Sequence, residues 1–124
     1  MYALKPYAPH ESIAQAGLAD SQGLLDVNPQ TLQHTKYDNI FGLGDVTNVP
    51  TTKTFYGGLS QVAVLRNNLE KRLNGHEMNA KYDGHAEAPL FLSQSQVSWV
   101  SHLYDGVEQA FDTSAMTSLT YIVL

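Results

Sequence analysis

The chain contains the stretch Tyr37-Asp38-Asn39-Ile40-Phe41-Gly42-Leu43-Gly44-Asp45-Val46-Thr47-Asn48, in which an apolar segment leads directly into a polar turn. Its apolar residues Ile40, Phe41 and Leu43 have the pattern of a short buried strand. The two glycines lack a Cβ, which lets another backbone or a ligand approach closely. Asp45 follows at the carboxyl end of this predicted strand, where open α/β sheets bind ligands. The stretch therefore predicts an α/β fold with a carboxylate placed to bind a sugar hydroxyl.

The composition is that of a globular protein with one modest core. The chain has 124 residues, 43% of them hydrophobic, and a formal net charge of −5. This charge argues against binding to a nucleic-acid backbone. The sequence has no apolar run long enough to span a bilayer, and it has no cysteine. Disulfides, thiolate metal sites and cysteine nucleophiles are therefore excluded for these residues, so redox chemistry requires a cofactor or a partner.

A long amphipathic helix is predicted after the polar turn. Apolar residues recur there at spacings of three and four, which places on one helix face Leu59, Val62, Leu65, Leu69 and Leu73. Basic residues in the last turn and Gly75 just beyond it are typical of a helix C-terminus. Thr51, Thr52 and Thr54 are each suitable N-caps.

The start of this helix is less clearly marked. Gly57-Gly58 weakens the first turn by about 1 kcal/mol per glycine relative to alanine. Either the helix begins at Leu59, or the two glycines allow close packing or the close approach of a ligand.

Short strands are predicted on both sides of the helix. Residues 24–27 form one, and residues 31–33 can pair back against it. A hairpin is predicted from Leu90–Leu92 and Val97–His102, and Tyr82-Asp83-Gly84 and Tyr104-Asp105-Gly106 are predicted turns. Ser12–Ala16 can form one helical turn. The tail from Ser114 to Leu124 becomes apolar and then stops, which indicates a truncated end.

Several stretches resemble the C-terminal part of a sulfide:quinone oxidoreductase, a flavoprotein of the two-dinucleotide-domain disulfide reductase superfamily. The strongest are Ile-Phe-Gly-Leu-Gly-Asp at 40–45 and the more particular Thr-Asn-Val-Pro-Thr-Thr-Lys-Thr at 47–54. The similar segments upstream and downstream are Ile13–Gln15, Leu18–Asp20, Leu25–Val27, Lys81–Gly84 and Ala88–Leu90.

The resemblance implies that FAD is the cofactor and assigns it four residues. The Gly44-Asp45 pair matches the family position at which the aspartate hydrogen-bonds the ribityl chain, and a carboxylate suits a hydroxyl donor. The following helix would point its N-terminus at the pyrimidine edge of the flavin, where negative charge collects on reduction. Lys53 and the N–H groups near Thr54 are placed to stabilise that charge.

Two departures from the family pattern affect the expected chemistry. Ala88, before Pro89-Leu90, stands where mitochondrial-type members are expected to carry a redox cysteine, and alanine cannot form a persulfide or a disulfide. The chain also lacks a Gly-rich dinucleotide fingerprint. It therefore resembles only part of an enzyme that passes electrons from sulfide through FAD to a quinone. The alternatives are a non-catalytic remnant or interaction module, and a portion of an NADH:quinone-type flavin reductase.

The predicted organisation has three parts. Residues 1–54 form the end of an FAD-binding domain, residues 55–76 the helix, and residues 77–124 an interface region. The expected partners are quinone, sulfide and either a missing N-terminal dinucleotide-binding half or a second copy. The resemblance implies peripheral contact with a bacterial plasma membrane or the mitochondrial inner membrane.

Other chemistry-bearing residues have simpler explanations. The five histidines show no spacing suited to a metal. Flat aromatic side chains can face a quinone, although packing within a hairpin is the commoner role. These aromatic candidates are Phe91, Trp99, Tyr104 and Phe111.

Overall fold

The computed structural model describes residues 8–91, 93, 97–106 and 109–110. In chain order, the elements are helix α1 (Glu11–Gln15), a 3₁₀ turn (Gly44–Val46), helix α2 (Phe55–Leu73) and strands β1 (Ala86–Phe91), β2 (Val97–His102) and β3 (Gln109–Ala110). This is a small α/β arrangement. The predicted helical turn near Ser12 is confirmed as α1, whereas the apolar tail from Ser114 lies outside the described residues.

Residues 18–50 form a set of turns connected by single bridges. The bridges join Ala19 with Leu25, Leu25 with Thr47, Val27 with His34, and Gln33 with Phe41. The strands predicted at 24–27 and 40–43 are therefore wrong as continuous strands. A strand requires a neighbour extended over the same length, and here each extended piece meets a given neighbour at a single residue pair.

The apolar core lies beneath these turns. It consists of Leu25, Val27, Leu32, Val49 and Tyr82. A polar bridge fixes the turns around it, because the Asp26 carboxylate accepts hydrogen bonds from Asn48 Nδ2 at 2.8 Å and Thr35 Oγ1 at 2.6 Å. Asn48 Oδ1 in turn accepts from the backbone N–H of Val27 at 3.0 Å. The turn after Gly44-Asp45 is thereby anchored to the segment at 26–27.

Helix α2 has the ends that the sequence predicts. Thr54 is the N-cap, with its Oγ1 accepting from Gly57 N at 3.1 Å, so the alternative start at Leu59 is wrong. At the other end Gly75 has φ +72°, and His76 N donates to Lys71 O at 2.9 Å. This left-handed glycine closes the helix as a Schellman-type cap.

The face of α2 that packs against the chain is not the predicted apolar face. Of the five predicted apolar residues, Leu65 packs against the core, while Leu59, Val62, Leu69 and Leu73 are 36–78% exposed. The buried positions of α2 are Gly57, Gln61 and Asn68. Helical periodicity groups the apolar residues correctly, but it does not say which face the rest of the chain covers.

Two amide side chains hold this buried face. Gln61 Oε1 accepts from Gly44 N at 2.6 Å. Asn68 Nδ2 donates to Ala80 O at 2.9 Å and Thr31 O at 3.2 Å, and Asn68 Oδ1 accepts from Ala80 N at 3.1 Å. Because buried amides are stable only when hydrogen-bonded, these contacts fix the helix in one position.

The C-terminal region is an antiparallel sheet in the order β1-β2-β3. Strand β1 pairs with β2 from Ala86↔His102 to Phe91↔Val97. This confirms the predicted hairpin for Leu90 and Phe91 and extends its first strand toward the N-terminus, while Leu92 lies outside the described residues. Gly106 N donates to Leu103 O at 3.1 Å, as expected for the predicted turn at 104–106. Strand β3, which pairs with β2, was not predicted.

A pair of tyrosines joins the sheet to the N-terminal turns. The rings of Tyr82 and Tyr104 meet edge to face with centroids 5.6 Å apart. Tyr104 Oη donates to Pro29 O at 2.8 Å, and Tyr82 Oη donates to His85 O at 2.7 Å. Burial raises the pKa of both phenols, and for Tyr104 the neighbouring Tyr82 and Asp83 act in the same direction.

We expect this pair to make the fold sensitive to alkali. The unfolded chain releases a phenol proton near pH 10.0, while folded Tyr104 retains it to higher pH. The stabilisation is therefore complete below pH 10.0 and declines as the pH rises above that value. In Tyr104→Phe, urea unfolding measured from pH 8 to pH 11 should show a smaller loss of unfolding free energy. Equal losses in both proteins would contradict this assignment.

Candidate functional site

An open cleft of about 460 Å³ lies between the Gly44–Val46 turn and the start of α2. It is lined by Leu43, Gly44, Asp45, Thr54, Phe55, Gly58, Leu59 and Val62. Three of the four predicted site residues, Gly44, Asp45 and Thr54, therefore line one cleft. Lys53 does not line it. The walls are mostly apolar, with one carboxylate and one helix N-terminus, which suits a flat ring system carrying a polar chain.

The Gly44-Asp45 turn is held by the helix it faces. Gly44 has φ +73°, and its N–H donates to the buried Gln61 side chain. Thr47 adds a second restraint, because its N and its Oγ1 both donate to Gly44 O, at 3.2 and 2.8 Å. These bonds place Asp45 at the cleft edge, where its side chain is exposed.

The two glycines at the start of α2 have different surroundings. A Cβ at Gly57 would lie 3.3 Å from the Ala86 Cβ on β1, whereas a Cβ at Gly58 would have no atom of the described residues within 4 Å. Gly57 therefore allows the helix to pack closely against the sheet, which confirms the packing explanation for this residue. Gly58 lines the cleft, and the approach of a ligand to it stays a prediction.

The N-terminus of α2 is available to an anion. Thr54 Oγ1 satisfies the N–H of Gly57, while the first N–H groups of any α-helix have no partner within the helix. The helix dipole also places partial positive charge at this end of α2, and this charge favours an anion there. Thr54 and Phe55, which lie at this end of the helix, line the cleft.

Lys53 has a local structural role. Its Nζ donates to Thr47 O at 2.7 Å and to Val49 O at 2.9 Å, so the ammonium closes the loop that follows Asp45. Burial lowers the pKa of Lys53, and Asp45 acts in the opposite direction. The lysine therefore contributes positive charge near Asp45 while its hydrogen bonds are directed to the loop.

Ala88 lies on β1, two residues after Ala86. Successive side chains of a strand alternate between its faces, so Ala88 shares the face on which Ala86 contacts the first turn of α2. Nearby, His85 Nε2 lies 3.1 Å from Glu87 Oε1, and His85 Nδ1 lies 3.5 Å from Ser60 Oγ. These polar groups link the sheet to α2.

The predicted aromatic residues do not converge on one site. Trp99 packs edge to face on Tyr56, with centroids 5.2 Å apart, and Tyr104 packs on Tyr82. Phe91 is 71% exposed, and Phe111 lies outside the described residues. Within the described part of the chain, no group of three or more potential metal ligands occurs.

Gln61 is the site residue that sequence reasoning missed. A faint signal was present, because Gly57, Gln61 and Asn68 share one helix face opposite the leucines. Small and amide residues on a common face indicate contact with a backbone, whereas the leucines alone suggested apolar packing.

Comparison with known proteins finds relatives that are all the same kind of enzyme. The mitochondrial sulfide:quinone oxidoreductases of Dictyostelium discoideum, Schizosaccharomyces pombe and Mus musculus are 41%, 34% and 34% identical over 98, 104 and 97 residues. These matches cover 78–84% of this chain but only 22–23% of each relative. No protein-family model matches the chain.

One solved structure is also similar. A chain in the cryo-EM structure of the Tetrahymena thermophila mitochondrial ATP synthase, an F1Fo composite tetramer, is 44% identical with a TM-score of 0.83. The match covers 93% of this chain and 28% of that one. Together with the three enzymes, this match shows that the chain resembles a C-terminal part of sulfide:quinone oxidoreductases, of which it spans less than a quarter of the length.

Proposed function

We propose that the chain forms the ribityl- and flavin-facing part of an FAD site in a sulfide:quinone oxidoreductase-like protein. The observation that carries the proposal is the cleft that brings Gly44, Asp45 and Thr54 together. FAD supplies two-electron redox chemistry when it is bound, and the complete enzyme would take electrons from sulfide and pass them to a quinone.

Each part of the cleft fits one part of the cofactor. Asp45 would accept a hydrogen bond from a ribityl hydroxyl. Phe55, Leu59 and Val62 would contact an apolar ring, and Gly58 leaves room for it. The N–H groups at the start of α2 would stabilise negative charge at the ring edge. Lys53 would act mainly by holding the loop at 47–49 in place.

Replacing Asp45 with alanine should weaken FAD binding by about tenfold, because a hydrogen bond to a charged group is lost. The chain spans under a quarter of its enzyme relatives, so it should be co-expressed with the remaining part of the Dictyostelium discoideum relative. Retained FAD is measured by flavin absorbance of the purified complex.

Glu77→Ala is the matched control, because it removes the same charge from an exposed residue outside the cleft. A colourless wild-type complex, or equal flavin content in the Asp45→Ala and wild-type complexes, would count against the proposal.

A second function, assembly without catalysis, is favoured by the match to a chain of the Tetrahymena thermophila ATP synthase structure, which covers nearly all of this chain. Ala88 and the absence of cysteine are consistent with that role. In this case the chain would co-migrate with a mitochondrial ATP synthase on native gels, and sulfide-dependent quinone reduction would be absent.

A third candidate, the NADH:quinone-type flavin reductase, needs no cysteine and would reduce quinone with NADH. Comparing NADH with sulfide as the electron donor therefore separates this function from sulfide oxidation.

The proposed location is the mitochondrial inner membrane surface, since the names of the enzyme relatives place them in mitochondria. In the described residues, no helix is both long and apolar enough to cross a bilayer. The peripheral contact proposed here is the one that the family resemblance implies.

A further inference from the structure

Gln61 connects the Gly44-Asp45 turn to the buried tyrosine pair. It lies in the second turn of α2, where it is buried, and it does not line the cleft. A backbone N–H can only donate a hydrogen bond, so the oxygen of the Gln61 amide must face Gly44. Gly44 N lies 2.6 Å from Gln61 Oε1. The Nε2 end of the same amide is therefore left to donate to a different partner.

Tyr82 holds that other end of the amide. Its hydroxyl donates its own proton to His85 O at 2.7 Å, which leaves the phenol oxygen to act as an acceptor. The side chains of Gln61 and Thr51 hydrogen-bond this phenol, and both carry a proton to donate. Because the oxygen and nitrogen of an amide are fixed in one plane, a bond at Nε2 sets the direction in which Oε1 faces. Tyr82 therefore orients Gln61, and Gln61 holds the N–H of Gly44.

The Gly44-Asp45 turn depends on such support because of its glycine. Glycine has more backbone conformations open to it than any other residue, so the hydrogen bonds at Gly44 decide which one the turn adopts. Thr47 Oγ1 holds the Gly44 carbonyl at 2.8 Å, and Gln61 holds the N–H. Asp45 follows directly in the chain, so loss of the Gln61 bond would change where its carboxylate lies relative to the start of α2.

We propose that Gln61 is a positioning residue of the flavin site and that Tyr82 acts through it, so that FAD affinity depends on a tyrosine outside the cleft. We call the connected residues Tyr82, Gln61 and Gly44 the amide relay. Its effect on FAD rests on the proposed flavin function. The relay itself consists of contacts within the described residues, so it is measurable in the chain without a cofactor.

The first measurement needs no flavin. Amide hydrogen exchange in the 124-residue chain is followed residue by residue by NMR. Gln61→Met keeps the length of the side chain but removes the acceptor, so exchange at Gly44 N should become at least about tenfold faster. Ala80 N is the internal control, because it is bonded to Asn68 Oδ1 and should keep its wild-type rate. An equal rise at both amides would show general loosening and would overturn the inference.

Tyr82→Phe and Tyr104→Phe form a matched pair of variants. Both remove one hydroxyl from the same pair of rings, but the Tyr104 hydroxyl donates to Pro29 O. Tyr82→Phe should speed exchange at Gly44 N about fivefold, and Tyr104→Phe should leave it unchanged. In the Gln61→Met background, Tyr82→Phe should add nothing, because the relay is already broken. If circular dichroism shows that Gln61→Met does not fold, the two tyrosine variants decide the question.

The second measurement is the FAD affinity of the complex co-expressed with the remaining part of the Dictyostelium discoideum relative. We expect about tenfold weaker binding for Gln61→Met, about fivefold for Tyr82→Phe and no change for Tyr104→Phe.

Three results would overturn the inference: unchanged Gly44 exchange in Gln61→Met, equal effects of the two tyrosine variants, or additive effects of Gln61→Met and Tyr82→Phe. Faster Gly44 exchange with unaltered FAD affinity would also overturn it. A colourless wild-type complex would count against the proposed flavin function instead, and Gly44 exchange would then decide the relay by itself.

Discussion

Gly84→Ala should destabilise the fold by about 3–5 kcal/mol, enough to leave much of a marginally stable chain unfolded. Gly84 has φ +94°, and an added Cβ would lie 2.5 Å from Tyr104 N and 2.6 Å from Tyr104 Cδ1. The backbone at Tyr104 is held by its bond to Asp83 O at 2.9 Å. Relief of the clash must therefore displace the junction between the sheet and the N-terminal turns.

Urea unfolding followed by circular dichroism measures this loss. Gly106→Ala is the matched control, because Gly106 also has a positive φ, +74°, but a Cβ there meets no atom of the described residues within 4 Å. It should cost only about 1 kcal/mol, the usual penalty for a left-handed alanine. Equal losses in the two variants would show that backbone conformation, and not contact with Tyr104, makes Gly84 necessary.

Asn68→Ala should cost about 2–4 kcal/mol of unfolding free energy. Asn68 is fully buried, and its side chain makes three hydrogen bonds to the backbone at Thr31 and Ala80. Alanine leaves these backbone groups without their partner and creates a small cavity. The apolar residues on the opposite side of α2, such as Leu69 and Leu73, cannot compensate, because they are not among the residues that pack against the core.

Two neighbouring substitutions test the cause. Asn67→Ala, one residue earlier and exposed, should change stability by no more than about 0.5 kcal/mol. Asn68→Asp keeps an acceptor for Ala80 N but loses both donor bonds and buries a charge, so it should be at least as destabilising as alanine. A mild effect of Asn68→Ala would mean that apolar contacts, and not the amide, hold α2.

The sequence predicted the features that depend on local chemistry. Capping preferences and strand patterning predicted a threonine cap at one of three positions, the Gly75 end of α2 and a hairpin within residues 90–102. The structure selects Thr54 among the three threonines and confirms the helix end and the pairing of the described strand residues. The four cofactor-binding residues remain predictions, although three of them line the same cleft.

The features that depend on contacts distant in sequence were not predictable in the same way. Phe41 has strand-forming neighbours, but a strand exists only where a second one lies beside it, and here Phe41 meets Gln33 in a single bridge. The leucines of α2 indicate that the helix has an apolar face, but they do not determine which part of the chain packs against it. Gln61 and Asn68 reverse the orientation expected for the helix because their amides bind backbone atoms brought near by the fold.

The attachment of α2 through Gln61 and Asn68 has a consequence for how this chain can change during evolution. Both amides bind main-chain atoms of Gly44, Thr31 and Ala80. Main-chain N–H and C=O groups are the same whichever side chain a residue carries, so positions 31 and 80 can drift in sequence without loosening the helix. Positions 61 and 68 do not have that freedom, and an alignment of close relatives should show much lower substitution rates at these two positions than at the loop positions they bind.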